Sequence, residues 1–112
     1  MAFNVAIKDW GGWKIAEISG DFTTRSIIEV RKLFQELEDT RSSRIAIDLS
    51  QSEFIDTQAI QLLVNYSKRL LTAGGKFKII EPSNDALDIL RMLCVNDLIA
   101  LCSSRESFER SC

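Results

Sequence analysis

The chain has 112 residues, of which 46% are hydrophobic, so a single domain over residues 1–112 can bury a core without disulfides or metals. Its formal net charge of −2 is too small to indicate direct binding to nucleic acid or to an anionic membrane surface. The sequence has no histidine, which excludes catalytic triads that use an imidazole. The three cysteines form no CxxC pair, so we expect no metal site and no cofactor.

The N-terminal sequence MAFNVAIKDW has no basic segment followed by a long apolar core. No apolar run in the chain approaches the ~20 residues that a membrane-spanning helix needs. We therefore predict a cytoplasmic protein without membrane insertion.

The first predicted elements are the two strands of a hairpin and a helix. Apolar residues alternate with more polar ones from residue 3 to 8 and again from residue 13 to 18, on either side of the Gly11-Gly12 turn. Gly20 ends the second strand. Thr23 or Thr24 is then the predicted cap of a helix whose apolar face contains Ile27, Val30, Phe34 and Leu37.

A compact apolar strand is predicted over residues 44–49, and a second helix from about Thr57 to Thr72. The main apolar stripe of this helix contains Ile60, Leu63, Tyr66 and Leu70, and is widened by Leu62 and Leu71. The junction before it, Asp56-Thr57, places a hydroxyl at an exposed helix mouth. The Thr57 hydroxyl is there a capable N-cap, and a kinase could also reach it.

The C-terminal part of the chain continues the alternation of strands and helices. We predict a strand from Lys76 to Ile80, after Ala73-Gly74-Gly75 has stopped the second helix. A third helix begins at Pro82-Ser83, and its apolar face contains Ala86, Ile89, Leu90 and Leu93. A short strand from Leu98 to Leu101 follows, and a terminal helix opens with Ser103 and Glu106 as a capping box.

The predicted order is therefore β-β-α-β-α-β-α-β-α, which is typical of an α/β fold with a mixed sheet of about five strands and helices packed on it. No GxGxxG or GxxxxGK[ST] loop is present to bind a phosphate. Asp48 and Asp56 flank a strand and a loop, and an acidic residue after a strand is usually part of a turn or a cap rather than a catalyst. We predict that the protein has no catalytic residues and is not an enzyme.

The segment IDLSQSEFIDTQAIQLL resembles the signature of STAS domains, in which a strand ending in DLS leads to FID, a serine or threonine, and a helix. ISGDFT and the C-terminal half from Ala73 to Phe108 resemble the same family, so the likeness covers nearly the whole chain. A single-domain chain of this size looks most like a bacterial anti-sigma factor antagonist. That resemblance implies binding to an anti-sigma factor with serine/threonine kinase activity, release on phosphorylation, and restoration by a phosphatase.

By its position in the motif, Thr57 is the residue that the resemblance implies as the phosphate acceptor. We predict that the partner contacts the loop from Phe22 to Arg25 together with the start of the second helix. The predicted contact residues are Phe22, Thr23, Thr24, Arg25, Asp56, Thr57, Gln58 and Gln61.

Two other functions of STAS proteins remain open at this stage. One is an adaptor subunit of a phospholipid-trafficking ABC transporter, where the Asp-Thr pair resembles a docking element for an ATPase. The other is a stressosome-type scaffold. A neighbouring gene for a sigma factor or a histidine-kinase-like ATPase would favour partner switching, whereas genes for a permease and a lipid-binding subunit would favour the adaptor.

Overall fold

A computed structural model describes residues 3–102. The strands are β1 (Asn4–Trp10), β2 (Trp13–Ser19), β3 (Arg44–Gln51), β4 (Lys76–Ile80) and β5 (Ala100–Cys102), and the α-helices are α1 (Ile27–Asp39), α2 (Thr57–Thr72) and α3 (Asn84–Met92). Short 3-10 turns cover Thr24–Ser26 and Val95–Asp97. The predicted order of elements is confirmed over this range, and the predicted terminal helix at Ser103 and Glu106 lies outside the described residues.

The five strands form one mixed sheet in the order β1-β2-β3-β4-β5. The β1–β2 hairpin is antiparallel, and the three remaining pairings are parallel. Parallel neighbours need crossover connections, and α1, α2 and α3 supply them. The fold is thus the predicted α/β arrangement of five strands and packed helices.

The main core lies between the sheet and the helices. The predicted apolar stripes of α1 and α2 are buried, with Val30, Phe34, Leu63 and Leu70 among them, and they pack against alternate residues of β2, β3 and β4. The intervening strand residues, such as Ile15, Ala46 and Ile80, form a second and smaller cluster. Because successive strand side chains point to opposite faces, the two clusters belong to the two faces of the sheet.

Some predicted details are wrong at the ends of elements. The pattern puts Leu71 and Leu93 on apolar faces, but both are exposed. Leu71 is turned by about 100° from the buried Leu70 on α2, and Leu93 follows the last residue of α3. The last strand begins at Ala100 rather than Leu98, because Val95–Asp97 forms a 3-10 turn that leaves Leu98 exposed. Within the described residues, no helix has the length and apolar character needed to span a membrane.

Helices α1 and α2 end with the same hydrogen-bonding pattern, the Schellman motif. At α1 the amides of Arg41 and Ser42 donate to the carbonyls of Glu38 and Leu37, and the motif places Arg41 in the left-handed region with φ 57°. At α2 the equivalent left-handed position is Gly74, with φ 87°. The next residue, Gly75, is needed for a different reason, because a Cβ atom there would lie 2.6 Å from the Ser43 carbonyl oxygen.

Candidate functional site

The candidate site lies where the parallel strands β2, β3 and β4 end and their following loops meet. The buried Ser52 hydroxyl donates to the Gly20 carbonyl at 2.8 Å, which ties the loop after β3 to the loop after β2. The Ser83 hydroxyl donates to the Ser52 carbonyl at 2.7 Å and so attaches the loop after β4. The carboxyl edge of a parallel sheet is the usual place for a binding site, and here it is held by short polar side chains.

Beyond the strands, a parallel bridge joins Phe22 to Ile55. The Phe22 amide donates to the Phe54 carbonyl at 2.9 Å, and the Asp56 amide donates to the Phe22 carbonyl at 3.1 Å. These bonds continue the β2–β3 pairing into the two loops. The loop from Phe22 to Arg25 and the start of α2 therefore lie side by side, as the sequence predicted.

The Asp56 carboxylate joins the same two segments through its side chain. One oxygen, Oδ1, accepts the Ala59 amide at 2.9 Å and so caps α2. The other, Oδ2, accepts the Thr24 amide at 2.8 Å and the Thr24 hydroxyl at 3.0 Å. The N-cap of α2 is therefore Asp56, and the prediction that Thr57 provides the cap is wrong.

Desolvation by burial acts to raise the pKa of Asp56, but hydrogen bonds to the ionised carboxylate outweigh it. Donors are the Ala59 amide, the Thr24 amide and hydroxyl, and the Gln58 amide, and together they hold the pKa of Asp56 below its ordinary value of 3.8. The carboxylate is thus ionised at neutral pH. Its stabilising effect is complete above pH 3.8 and is lost as the pH falls through the lower folded-state pKa.

We expect Asp56→Asn to reveal this effect in the pH dependence of stability. Wild type should exceed the variant in free energy of unfolding near neutral pH, and the difference should shrink once the pH falls below 3.8. Denaturant unfolding of both proteins between about pH 6 and about pH 2 measures this difference in free energy. The same difference at every pH would mean that the charge of Asp56 does not contribute.

Thr57 is the first residue of α2, and its side chain is exposed. Its hydroxyl makes no hydrogen bond to another residue in the range 3–102 that the structure describes. Gln58 and Gln61 are also exposed on the first turns of α2, and the Gln61 amide donates to the Asn65 side chain at 3.0 Å. The structure thus brings Thr57, Gln58 and Gln61 to one polar surface beside Asp56.

The four predicted residues of the neighbouring loop have different environments. Thr24 and Arg25 are exposed, and Thr23 is half-buried, with its hydroxyl accepting the Arg25 amide at 3.3 Å. Phe22, by contrast, is 0% exposed and belongs to the core. The prediction that Phe22 is a contact residue is therefore wrong, because its ring lies in the core and its backbone is bonded to Phe54 and Asp56.

Two exposed apolar residues near this surface were not predicted. Phe54 is 47% exposed and lines an open cleft of about 560 Å³ together with Thr24, Arg25 and Asp56. Ile28, at the start of α1, is 63% exposed. A sequence signal existed for both: Phe54 alternates with the buried Ile55, and Ile28 falls outside the apolar stripe of α1.

The chain was compared with protein-family models, with curated protein sequences and with solved structures. The family model of the STAS domain matches residues 4–108. No curated protein sequence matches the chain with significance. Among solved structures, a Thermotoga maritima protein described as a candidate anti-sigma factor antagonist superposes with a TM-score of 0.86 at 19% identity, covering 95% of this chain and 92% of that one.

Two further structures have the same fold. An anti-sigma factor antagonist from Mycobacterium paratuberculosis gives a TM-score of 0.86 at 14% identity, covering 97% of this chain and 93% of that one. The Bacillus cell fate determinant SpoIIAA in its phosphorylated form gives a TM-score of 0.70 at 13% identity, covering 97% of this chain and 98% of that one. Since the family model spans nearly the whole chain and the fold agrees, the chain belongs to the STAS domain family.

Proposed function

We propose that this protein is an anti-sigma factor antagonist that acts by partner switching. Unmodified, it binds an anti-sigma factor that is also a serine/threonine kinase, and phosphorylation of Thr57 releases it. A phosphatase then restores the binding form. The proposal is supported by membership of the STAS family and by the fold shared with the antagonist SpoIIAA, whose structure is known in phosphorylated and unphosphorylated forms.

The observation that carries this proposal is the exposed Thr57 hydroxyl beside an Asp56 carboxylate that is already engaged. Asp56 caps α2 and binds Thr24, so the stability of the helix does not depend on the Thr57 hydroxyl. Thr57 is consequently available for modification. As a binding module in the cytoplasm, the protein would need no catalytic residue, no cofactor and no metal.

Phosphate on Thr57 adds roughly 1.5 to 2 negative charges at neutral pH. The first turn of α2 tolerates such a charge, because helix N-termini present unpaired amides and a positive dipole end. A partner surface that fits a hydroxyl and one carboxylate would instead meet a bulky dianion next to Asp56. Modification should therefore weaken association while leaving the fold intact.

The test begins with capture of partners from native lysate and their identification by mass spectrometry. The captured kinase and ATP are then incubated with wild type, Thr57→Ala and the control Thr72→Ala, which changes an exposed threonine at the other end of α2. We expect phosphate on wild type and on the control but not on Thr57→Ala. Phosphate only at another residue would contradict the switch, and capture of a transporter ATPase would favour the adaptor function.

The proposed contact surface can be tested without phosphorylation. Gln61→Glu and Gln58→Arg place charges on the exposed polar surface of α2 and should weaken partner binding several-fold, with little change in melting temperature. Gln35→Glu, on an exposed position of α1, is the matched control. If both α2 variants bind as wild type does, the partner uses another surface.

A further inference from the structure

The sheet has a second face, opposite to the face that α1, α2 and α3 cover. The apolar cluster on this face consists of strand residues, and within residues 3–102 no helix contributes to it. Ile15, Ala46 and Ile80 are nevertheless 0% exposed. Trp10 and Trp13 pack against the cluster at the end of the face that lies near the β1–β2 turn. The opposite end, at the carboxyl edge of the sheet, needs a cover of its own.

Cys102 lies at that carboxyl edge. It pairs with Ile80 in the register of β5 with β4, belongs to the apolar cluster and is 1% exposed. Its sulfur is disulfide-bonded, whereas the Cys94 thiol is free. Since the chain contains three cysteines, the remaining one is Cys112.

The same end of the second face is acidic. Glu17 and Asp48 are neighbours in the register of β2 with β3, and they lie in the row of paired strand residues that ends at Cys102. Together with Glu81 they line a cleft of about 450 Å³. Lys8 pairs with Glu17 from the edge strand β1, at 3.9 Å. Three carboxylates grouped in one cleft favour a positively charged occupant.

The sequence that follows Cys102 has a matching composition. It reads SSRESFERSC and contains Arg105, Phe108 and Arg110. Guanidinium groups form charge-assisted hydrogen bonds with carboxylates, and a phenylalanine ring can extend an apolar cluster. This segment also begins at the right place, because β5 ends at Cys102.

We propose that residues 103–112 cover the carboxyl end of the second face and are held there by a reversible disulfide between Cys102 and Cys112. The two arginines of the segment meet the carboxylates of the cleft, and Phe108 packs on the apolar cluster. A disulfide joins Cα atoms about 4–7 Å apart, whereas a straight helix over 103–112 would span about 15 Å. The segment therefore turns back after a short terminal helix.

Closure of the bond is a two-electron oxidation by a low-molecular-weight disulfide. The thiolate of one cysteine attacks the reagent, breaks its sulfur–sulfur bond and releases one thiol. The thiolate of the other cysteine then attacks the mixed disulfide and releases the second thiol. Two protein thiols and one reagent disulfide thus become one protein disulfide and two reagent thiols. In a reducing compartment the reverse exchange opens the bond, which makes it a redox-sensitive latch.

The test is a count of free thiols in the full chain after equilibration with glutathione disulfide. Alkylation of the denatured protein without reductant, followed by intact mass measurement, should modify one cysteine, Cys94, in wild type and all three after reduction. Peptide mapping should show Cys102 joined to Cys112. Cys112→Ser should lose the internal bond, and the matched control Cys94→Ser should keep it.

A second experiment tests the contact with the acidic cleft. Arg105→Glu combined with Arg110→Glu places like charges opposite the carboxylates and should lower the equilibrium constant for closure in a glutathione buffer several-fold. The control Arg91→Glu changes an exposed arginine of α3, on the other face of the sheet, and should leave the constant unchanged. In the isotope-labelled wild type, reduction should shift the amide resonances of Asp48 and Glu81.

Three alkylated thiols in the oxidised wild type, or a disulfide that involves Cys94 or a second chain, would overturn the proposal. So would an equilibrium constant for closure that the charge reversal at Arg105 and Arg110 leaves unchanged. None of these results bears on the switch at Thr57, because the latch lies on the face of the sheet opposite to α2.

Discussion

Stoichiometric phosphorylation of Thr57 is expected to weaken partner binding by about 100-fold or more. The dianion adds charge repulsion beside Asp56 and must be desolvated in the interface, at a combined cost on the order of a few kcal/mol. Each 1.4 kcal/mol corresponds to about a factor of ten in affinity. Isothermal titration calorimetry of the unmodified and phosphorylated proteins with the captured partner measures the effect.

Two variants at Thr57 separate the effect of negative charge from the effect of losing the hydroxyl. Thr57→Ala should still bind the partner, because Asp56 rather than Thr57 caps α2 and the helix start is kept. Thr57→Glu should fold and bind less tightly, although one carboxylate reproduces only part of a phosphate charge. All four forms should unfold within a few degrees of one another. Equal affinity of the phosphorylated and unmodified proteins would refute partner switching and leave the adaptor function ahead.

Leu63→Ala is expected to lower the free energy of unfolding by about 2–5 kcal/mol. Leu63 is 0% exposed and lies in the main core between α2 and the sheet, so truncation removes buried contacts and leaves a cavity. The matched control is Leu71→Ala, which makes the same change on the same helix at a position that is 51% exposed. It should alter stability by less than about 0.5 kcal/mol.

Denaturant unfolding of the two leucine variants therefore measures the orientation of α2. Because Gln58 and Gln61 lie off the stripe that contains Leu63, this orientation also determines which residues face a partner. Similar decreases in the free energy of unfolding for Leu63→Ala and Leu71→Ala would mean that α2 is rotated about its axis. Other residues of α2 would then face the partner.

The sequence predicted the elements well because their signals are local. Hydrophobic spacing in α1 and α2 identified Val30, Phe34, Leu63 and Leu70 as buried, and the structure agrees. The same spacing misplaced Leu71, which is turned by about 100° from the buried Leu70, because a helical period identifies an apolar face but not to what width the neighbouring elements cover it. That extent is a tertiary property.

The cap of α2 is a second feature that local sequence patterns do not determine. Asp56 and Thr57 both have side chains suited to capping, so local preference alone does not choose between them. The choice depends on Thr24, which precedes Asp56 by 32 residues and binds its carboxylate. Likewise, the backbone bridge between Phe22 and Ile55 joins residues 33 positions apart in the chain, which local sequence alone does not predict.

The strand order also has a consequence for the synthesis of the domain. The sheet runs β1-β2-β3-β4-β5, so each strand that leaves the ribosome pairs with the strand made just before it, at one growing edge. Among the five described strands, none waits for a later strand or inserts between two earlier ones, which keeps loop closure short. Phe22, Thr24 and Ala59, which make hydrogen bonds with Asp56, all precede β4. A nascent chain thus contains these hydrogen-bond partners of Asp56, the residue next to Thr57, before β4 and β5 have been translated.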